Sequence, residues 1–432
     1  MLRYKVENMN ALQLFSDKDD TESSRSKLTA IIQDAVNRNV KEIYLFLNIS
    51  YTFPRCILNC KTLVSLRLSG YADITNDDDV WLPCLKKLFL DYVGYESEGT
   101  LSYLLSHCPV LEELTINRSY PDVDCFVVSS RTINRLILDS CFYGHFYVKN
   151  RSTVKIDAPE LRYLKVYDFA SKDVKVGSLT SLVEADVNLD GEDEDDFDYH
   201  VDASVEDDDN DVSDDDDDDS VEGNGSDDDT ADDDDDDVSD DDDAQVEGDD
   251  NDHFPDENAL NNEAPPVEMR VLYARSVLEF VGGLCNVKYL RLSTGWMNVS
   301  DSEFAAWAAN YNNLIKLEFR GDWRFIPNFL ETADNLQVLR ISTGYKHMKH
   351  WIEPNQVPQC LSTHLRTVRF DDFEIAEAEM SIITYILRNA KVLKRMEIHF
   401  KSDGIDLKKK SEAFNIISSF KRGSVGCMLD FH

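Results

Sequence analysis

Three arginines, Arg291, Arg340 and Arg369, occupy the same place in three short segments of like pattern, Leu290-Arg-Leu, Leu339-Arg-Ile and Val368-Arg-Phe. Side chains alternate along a strand, so an arginine between two inward apolar residues faces out. Guanidinium groups aligned on one face repel unless something anionic lies there. That points to holding a carboxylate, a phosphate or an acidic peptide rather than to bond chemistry. The competing reading is a solvated ladder neutralised by local Asp or Glu. The outward positions of these and the neighbouring segments carry Arg291, Lys316, Arg320, Arg340, Arg369 and Arg395 against Glu318, Asp371 and Glu397, a charge of +3. The matching positions nearer the N-terminus carry Arg67, Lys87, Arg135 and Lys165 against Glu42, Asp91, Glu113, Asp139, Glu184 and Asp186, a charge of −2. Arg291, Arg340, Arg369, Lys316, Tyr289, Arg67, Lys165 and Tyr163 are the candidate partner-binding residues.

Other residues that could do chemistry are isolated. His347-Met-Lys-His350 has a spacing that could share a metal, yet no carboxylate or Cys stands nearby, and a solvated loop is the simpler reading. Cys56 and Cys60, four apart at the edge of a repeat, read as small apolar fillers. Phosphate-cradling glycine loops, a nucleophile elbow and zinc-finger spacings are all missing. No catalytic, cofactor or metal-binding residue is assigned, and no cofactor is expected.

The elements that must position the outward residues repeat. Twelve times an apolar residue is followed by others three and five positions later, as in Val40-Lys-Glu-Ile43-Tyr-Leu45, Leu63-Val-Ser-Leu66-Arg-Leu68 and Leu314-Ile-Lys-Leu317-Glu-Phe319. Copies start 21 to 29 residues apart, except for one gap of 105 between Leu182 and Val287. A period in the twenties with this motif marks a leucine-rich repeat. The fold class is therefore an α/β solenoid with parallel strands on its concave face. In each copy the second and third apolar residues point inward from a strand and the first packs just ahead of it. The remainder returns over the outer face, and Leu101, Leu104 and Leu105 make one short helix stopped at Pro109.

The net charge of −40 is local. Asp190 to Glu257 holds 39 acidic residues and no Lys or Arg, which leaves the rest near neutral. This stretch, about 190–268, lacks apolar surface and is expected to be a disordered insert within a loop. It reads first as a solvated spacer, then as a docking segment for basic proteins, or as a mask over the basic strands that follow it. Leu28, Ile31, Ile32, Ala35 and Val36 share a helical face, with Ser24 or Ser26 as N-cap, and this helix would close the open end of the solenoid. Near the C-terminus two helices are expected: Glu377–Asn389, with Met380, Ile383, Ile386 and Leu387 on one face, and Lys408–Phe420, with Phe414, Ile416, Ile417 and Phe420. A turn and final strand from Arg422 would cover the far edge. Nine scattered cysteines, without a pairing pattern or signal peptide, point to a reducing compartment, nucleus or cytoplasm. Neither a membrane nor nucleic acid is expected as a partner.

Several stretches carry a specific likeness: Cys60-Lys-Thr-Leu-Val-Ser-Leu-Arg-Leu, Leu104-Leu-Ser-His-Cys-Pro-Val-Leu-Glu-Glu-Leu, Ile156-Asp-Ala-Pro-Glu-Leu-Arg-Tyr-Leu-Lys-Val, and Ile386-Leu-Arg-Asn-Ala-Lys-Val-Leu-Lys-Arg-Met-Glu-Ile followed by Arg422-Gly-Ser-Val-Gly-Cys. Together they resemble the plant F-box proteins with leucine-rich repeats and a C-terminal FBD domain. The resemblance implies a receptor whose F-box binds a Skp1-type adaptor while its repeats hold a substrate for ubiquitination by a cullin-based ligase. Residues 1–27 contain no Pro or Trp and do not match an F-box, so adaptor binding is expected only if one is restored upstream. The organisation expected is a polar segment 1–27, a first repeat arm 28–189, the acidic insert 190–268, a second arm 269–364 and an FBD-like α+β cap 365–432. The function expected is protein recognition as the substrate-binding part of such a ligase. The alternatives are a binding scaffold or decoy without adaptor coupling, or an acidic histone-binding factor.

Overall fold

The computed structural model describes residues 8–16, 22–47, 53–70, 72–74, 80–118, 123–140, 152–168, 171–189, 267–295, 300–307, 309–342, 351–402 and 405–432. Every apolar triple is buried: the three residues of each of the twelve copies are at most 2% exposed, from Val40, Ile43 and Leu45 to Leu393, Met396 and Ile398. Each copy contributes one strand to a single fourteen-stranded sheet whose order follows the sequence. The strands are Ala11–Ser16, Glu42–Leu47, Ser65–Ser69, Lys87–Asp91, Glu113–Asn117, Arg135–Asp139, Tyr163–Tyr167, Glu184–Leu189, Tyr289–Thr294, Lys316–Arg320, Val338–Ser342, Thr367–Phe373, Arg395–Phe400 and Met428–Phe431. All neighbours are parallel.

The 105-residue gap does not break the sheet. Glu184 registers with Tyr289 and Asp186 with Arg291. A recurrent backbone clamp joins each repeat to the next. The amides of Lys86 and Lys87 both donate to the Val64 carbonyl, at 2.8 and 3.1 Å, and those of Lys288 and Tyr289 both donate to Val183, at 2.8 and 3.2 Å. The junction across the gap is therefore built like any other. Two glycines with left-handed backbone make matching turns in the two arms. Gly70 (φ 114°) lies against the Leu47 carbonyl and Gly321 (φ 141°) against Thr294, where a Cβ has no room.

The N-terminus differs from expectation. Within the segment read as polar, Ala11–Ser16 is a strand, paired in parallel with Glu42–Leu47. Strand rather than helix forms that edge of the sheet. The helix begins at Glu22, so Ser24 and Ser26 lie inside it and neither caps it. Ile32 and Ala35 are buried, but Ile31 is 48% exposed, because only one narrow stripe of the helix meets the sheet.

The returns of the two arms differ. In the first arm Cys125–Ser129, Thr153–Asp157 and Asp173–Val176 form a second parallel sheet, and Asp73–Ile74 pairs with Gly94–Tyr95. Phe126, Val128, Val154, Ile156 and Val174, alternating and mostly β-branched, face the core. The one expected helix is present at Thr100–Ser106. In the second arm the returns are helices: Val267–Gly283, Asp301–Ala306, Phe325–Thr332 and Gln359–Thr363. Val267–Gly283 seals the change of back. Its Ser276 hydroxyl donates to Asp173 and accepts from the Val174 amide, and the Tyr273 hydroxyl donates to the Asp168 carbonyl at 3.2 Å.

The C-terminal helix Glu377–Asn389 forms as expected, with Ile382, Ile383, Ile386 and Leu387 buried. Buried Glu379 accepts from the Ala376 amide at 2.7 Å and the Glu374 amide at 3.1 Å, so its charge is satisfied by helix-start donors. The last helix is Leu407–Ser419, capped by Asp406, which accepts from the Lys409 amide at 2.7 Å. Only Ala413 and Ile417, one turn apart, are buried there. Phe414 and Ile416, expected on the packed face, are 46% and 48% exposed. The final strand pairs with Arg395–Phe400 and ends the sheet as expected.

Candidate functional site

The parallel register turns the outward residue at the centre of each strand into one row across the whole sheet. It reads Gln13, Tyr44, Arg67, Phe89, Thr115, Ile137, Lys165, Asp186, Arg291, Glu318, Arg340, Arg369, Glu397 and Asp430. Neighbours in this row stand about 4.8 Å apart, so side chains interact across strands. The row changes character midway. Its first half is mostly aromatic, apolar or neutral, and from Lys165 onward every residue is charged.

The three arginines share the row, as their spacing in the sequence predicts, but carboxylates lie among them. Glu318 stands between Arg291 and Arg340. It accepts from Arg291 Nε at 3.0 Å, lies 2.6 Å from Lys316 Nζ and is 3.8 Å from Arg340. Asp371, two residues beyond Arg369 on the same strand, accepts from Arg340 Nε and, at 2.7 Å, from Arg369 Nε. Arg291 also lies 3.8 Å from Asp186. Repulsion among the arginines is relieved inside the chain and no longer calls for an external anion. Burial pushes the Glu318 carboxyl up. The Lys316 ammonium and the Arg291 guanidinium outweigh that and hold it below the usual carboxylate range. The ladder continues through Arg395, 3.2 Å from Glu397 and 3.3 Å from Asp430.

The remaining candidates lie elsewhere on the face. Tyr289 is 42% exposed beside Lys316. Tyr163 lies 3.8 Å under the Arg135 guanidinium, with its hydroxyl pushed up by burial and by Asp186. Lys165 registers between Ile137 and Asp186. Arg67 is six strands from Arg291, roughly 29 Å at the usual strand spacing. The structure therefore joins Arg291, Lys316, Arg340 and Arg369 in one charged tract and leaves Arg67 in a different neighbourhood.

That neighbourhood is aromatic, and the sequence reading passed over it. The Phe15 ring packs edge-on to Tyr44 at 5.2 Å and lies 6.4 Å from Phe46. The Arg67 guanidinium sits 4.9 Å from the Tyr44 ring and 5.9 Å from Phe89. Asp91 fixes it there, accepting from Nε at 3.1 Å and Nη2 at 2.9 Å. Asn117 steadies Asp91 in turn, donating at 2.6 Å. Its signal in the sequence is the aromatic residues at the outward positions of Tyr44-Leu-Phe46 and Leu88-Phe-Leu90.

His347, His350 and Cys141 lie outside the described residues, as does the acidic insert up to residue 266; its last two expected residues, Val267 and Glu268, instead open the helix Val267–Gly283. The other eight cysteines are free thiols. Burial pushes Cys108 and Cys360 up to about 12, so both are packing groups rather than nucleophiles. Among the described residues no three His, Cys, Asp or Glu side chains come together as a metal site, and no helix is long and apolar enough to cross a membrane.

Comparison with known proteins agrees with this geometry. Residues 28–185 match the family model described as the LRR repeats of the FBD-associated F-box protein At5g56370, and residues 353–398 match the FBD model. The second match spans the Thr367–Phe373 strand, the Glu377–Asn389 helix and most of the Arg395–Phe400 strand. The F-box/FBD/LRR-repeat protein At1g78750 of Arabidopsis thaliana is 24% identical over 404 residues, 90% of this chain and 73% of the relative. The F-box/FBD/LRR-repeat protein At1g13780 of the same plant is 25% identical over 417 residues, covering 91% and 75%. The F-box/LRR-repeat protein At3g59250, also from Arabidopsis thaliana, is 34% identical over 181 residues, covering 41% and 42%. By its repeats and its C-terminal unit, this chain is similar to the plant F-box/FBD/LRR-repeat proteins.

Proposed function

We propose that the chain is a protein-recognition module that presents the outward face of its sheet to a partner, as the substrate-holding part of an F-box-type ubiquitin-ligase receptor. The observation that carries this reading is the unbroken fourteen-residue row of outward side chains, laid on a rigid sheet and open to solvent. Nothing in that row has the geometry of a reacting site; its groups are suited to holding. The two arms act as one surface with the FBD-like unit closing its end. The acidic insert is an accessory that can take up basic proteins. The scattered free thiols support a reducing compartment, nucleus or cytoplasm, as its place of work.

Proximity labelling by the full chain in plant cells tests the reading. Labelled partners are expected to accumulate when the chain is removed or the proteasome is blocked. Partners whose turnover ignores both treatments would overturn the ligase role and leave a binding scaffold.

A further inference from the structure

Resting on that recognition reading, we propose that the partner docks over the first-arm cluster of Phe15, Tyr44, Phe46, Arg67 and Phe89. The occupant is an extended peptide segment that presents apolar side chains and places a Lys or Arg beside Glu42. The cluster has the composition of an interface hot spot, aromatic rings around an arginine. Phe15 is 66% exposed on the outward face, and the other rings are half-buried with one side open. The cluster is also rigid before binding. Edge-on ring packing holds Phe15 against Tyr44, and the Asp91 carboxylate locks Arg67 between Tyr44 and Phe89, so little freedom is lost when a ligand arrives.

Charge selects the occupant. Arg67 is paired with Asp91, and Lys87 with Glu113 at 3.2 Å. Glu42, outward and exposed on the Tyr44 strand, has no side-chain partner among the described residues. A cation on the ligand would supply it. From the Phe15 strand to the Phe89 strand is three strand spacings, about 14 Å, the length of four or five residues of extended chain. The second arm makes a poorer platform. Its outward rings and apolar groups are sparse, and the carboxylates that a ligand would bring to its arginines are already supplied by Glu318 and Asp371.

The test uses the full chain against a phage-displayed library of random twelve-residue peptides. The best enriched peptide is then made synthetically and measured on variants. Enriched peptides are expected to combine an aromatic or aliphatic pair with a basic residue. The double variant Tyr44→Ser/Phe89→Ser should weaken binding at least tenfold, Glu42→Lys several-fold, and Lys408→Glu, on the exposed side of the last helix, not at all. Glu42 is fully outward, so a loss there cannot be charged to misfolding, and melting curves check the others. Undiminished binding by the Tyr44→Ser/Phe89→Ser chain overturns the docking site, and if Arg340→Glu/Arg369→Glu then abolishes binding, recognition stands and moves to the charged ladder. A library that yields nothing above a carrier protein overturns both readings.

Discussion

Between Glu42 and Leu189 the chain reaches most new strands through extended segments that build two smaller sheets; between Val267 and Ser419 it does so through helices. The buried triple is the same in both arms, so the strand core does not decide the back. The periodicity of the return does. Cys125-Phe-Val-Val and Thr153-Val-Lys-Ile alternate with period two, whereas Phe325, Ile326, Phe329 and Leu330 fall on one helical stripe. The outward faces diverge as well, toward aromatic groups in the first arm and toward carboxylate-bridged cations in the second. One repeat frame therefore carries two chemically distinct surfaces, and the frame places few limits on which residues occupy the outward row.

The largest effect should come from the aromatic core that the second arm's helices require. Phe329 is fully buried, with the Tyr311 ring 4.8 Å and the Phe325 and Phe319 rings about 6 Å from it. Phe329→Ala should cost roughly 3–5 kcal/mol in urea unfolding. A cost under about 1 kcal/mol would mean that the helical back is not a packed layer.

Next comes the ladder. Glu318→Gln removes the carboxylate shared by Arg291 and Lys316 and should cost about 1–2 kcal/mol at pH 7. Its folded pKa is depressed, so the stability it contributes is present above the unfolded carboxylate range and fades as pH falls through the folded value. Melting curves of the two proteins should converge in acid. A gap that persists at the lowest pH would show that packing, not charge, is lost. By contrast Phe15→Ser, on the first arm's outward face, should change stability by less than about 0.5 kcal/mol. A larger loss would make Phe15 a structural residue and weaken the contrast between the faces.

The smallest effect concerns the thiols. Brief alkylation of the native protein at pH 8, read by mass spectrometry, should modify exposed Cys84 and spare Cys108 and Cys360, whose thiols are pushed up to about 12 by burial. Rapid labelling of Cys360 would show that the second arm opens locally.

The inward half of this fold was legible because burial leaves a period in the sequence. All twelve copies became strands, and the last strand was placed correctly. The first strand also carries the motif, in Met9-Asn-Ala-Leu12-Gln-Leu14, but its triple is less complete. Leu12 is 8% exposed and Met9 and Leu14 are only partly buried, since an edge strand has a neighbour on one side alone. The outward half was legible in position and not in pairing. The alignment of Arg291, Arg340 and Arg369 follows from repeat spacing. That Glu318 and Asp371 serve them depends on cross-strand register and side-chain reach, which no single segment contains. The misplacement of Phe414 and Ile416 has the same origin, because helical spacing names a face without saying how much of it is covered.

Both arms are one sheet, joined directly where Glu184 meets Tyr289. Replacing residues 193–262 with a short Gly-Ser linker and following hydrogen exchange tests it most directly. The amides of Lys288 and Tyr289 donate to the Val183 carbonyl, and they should stay as protected as in the parent chain, with a single unfolding transition. Loss of protection at those amides, or two separate transitions, would contradict the continuous sheet.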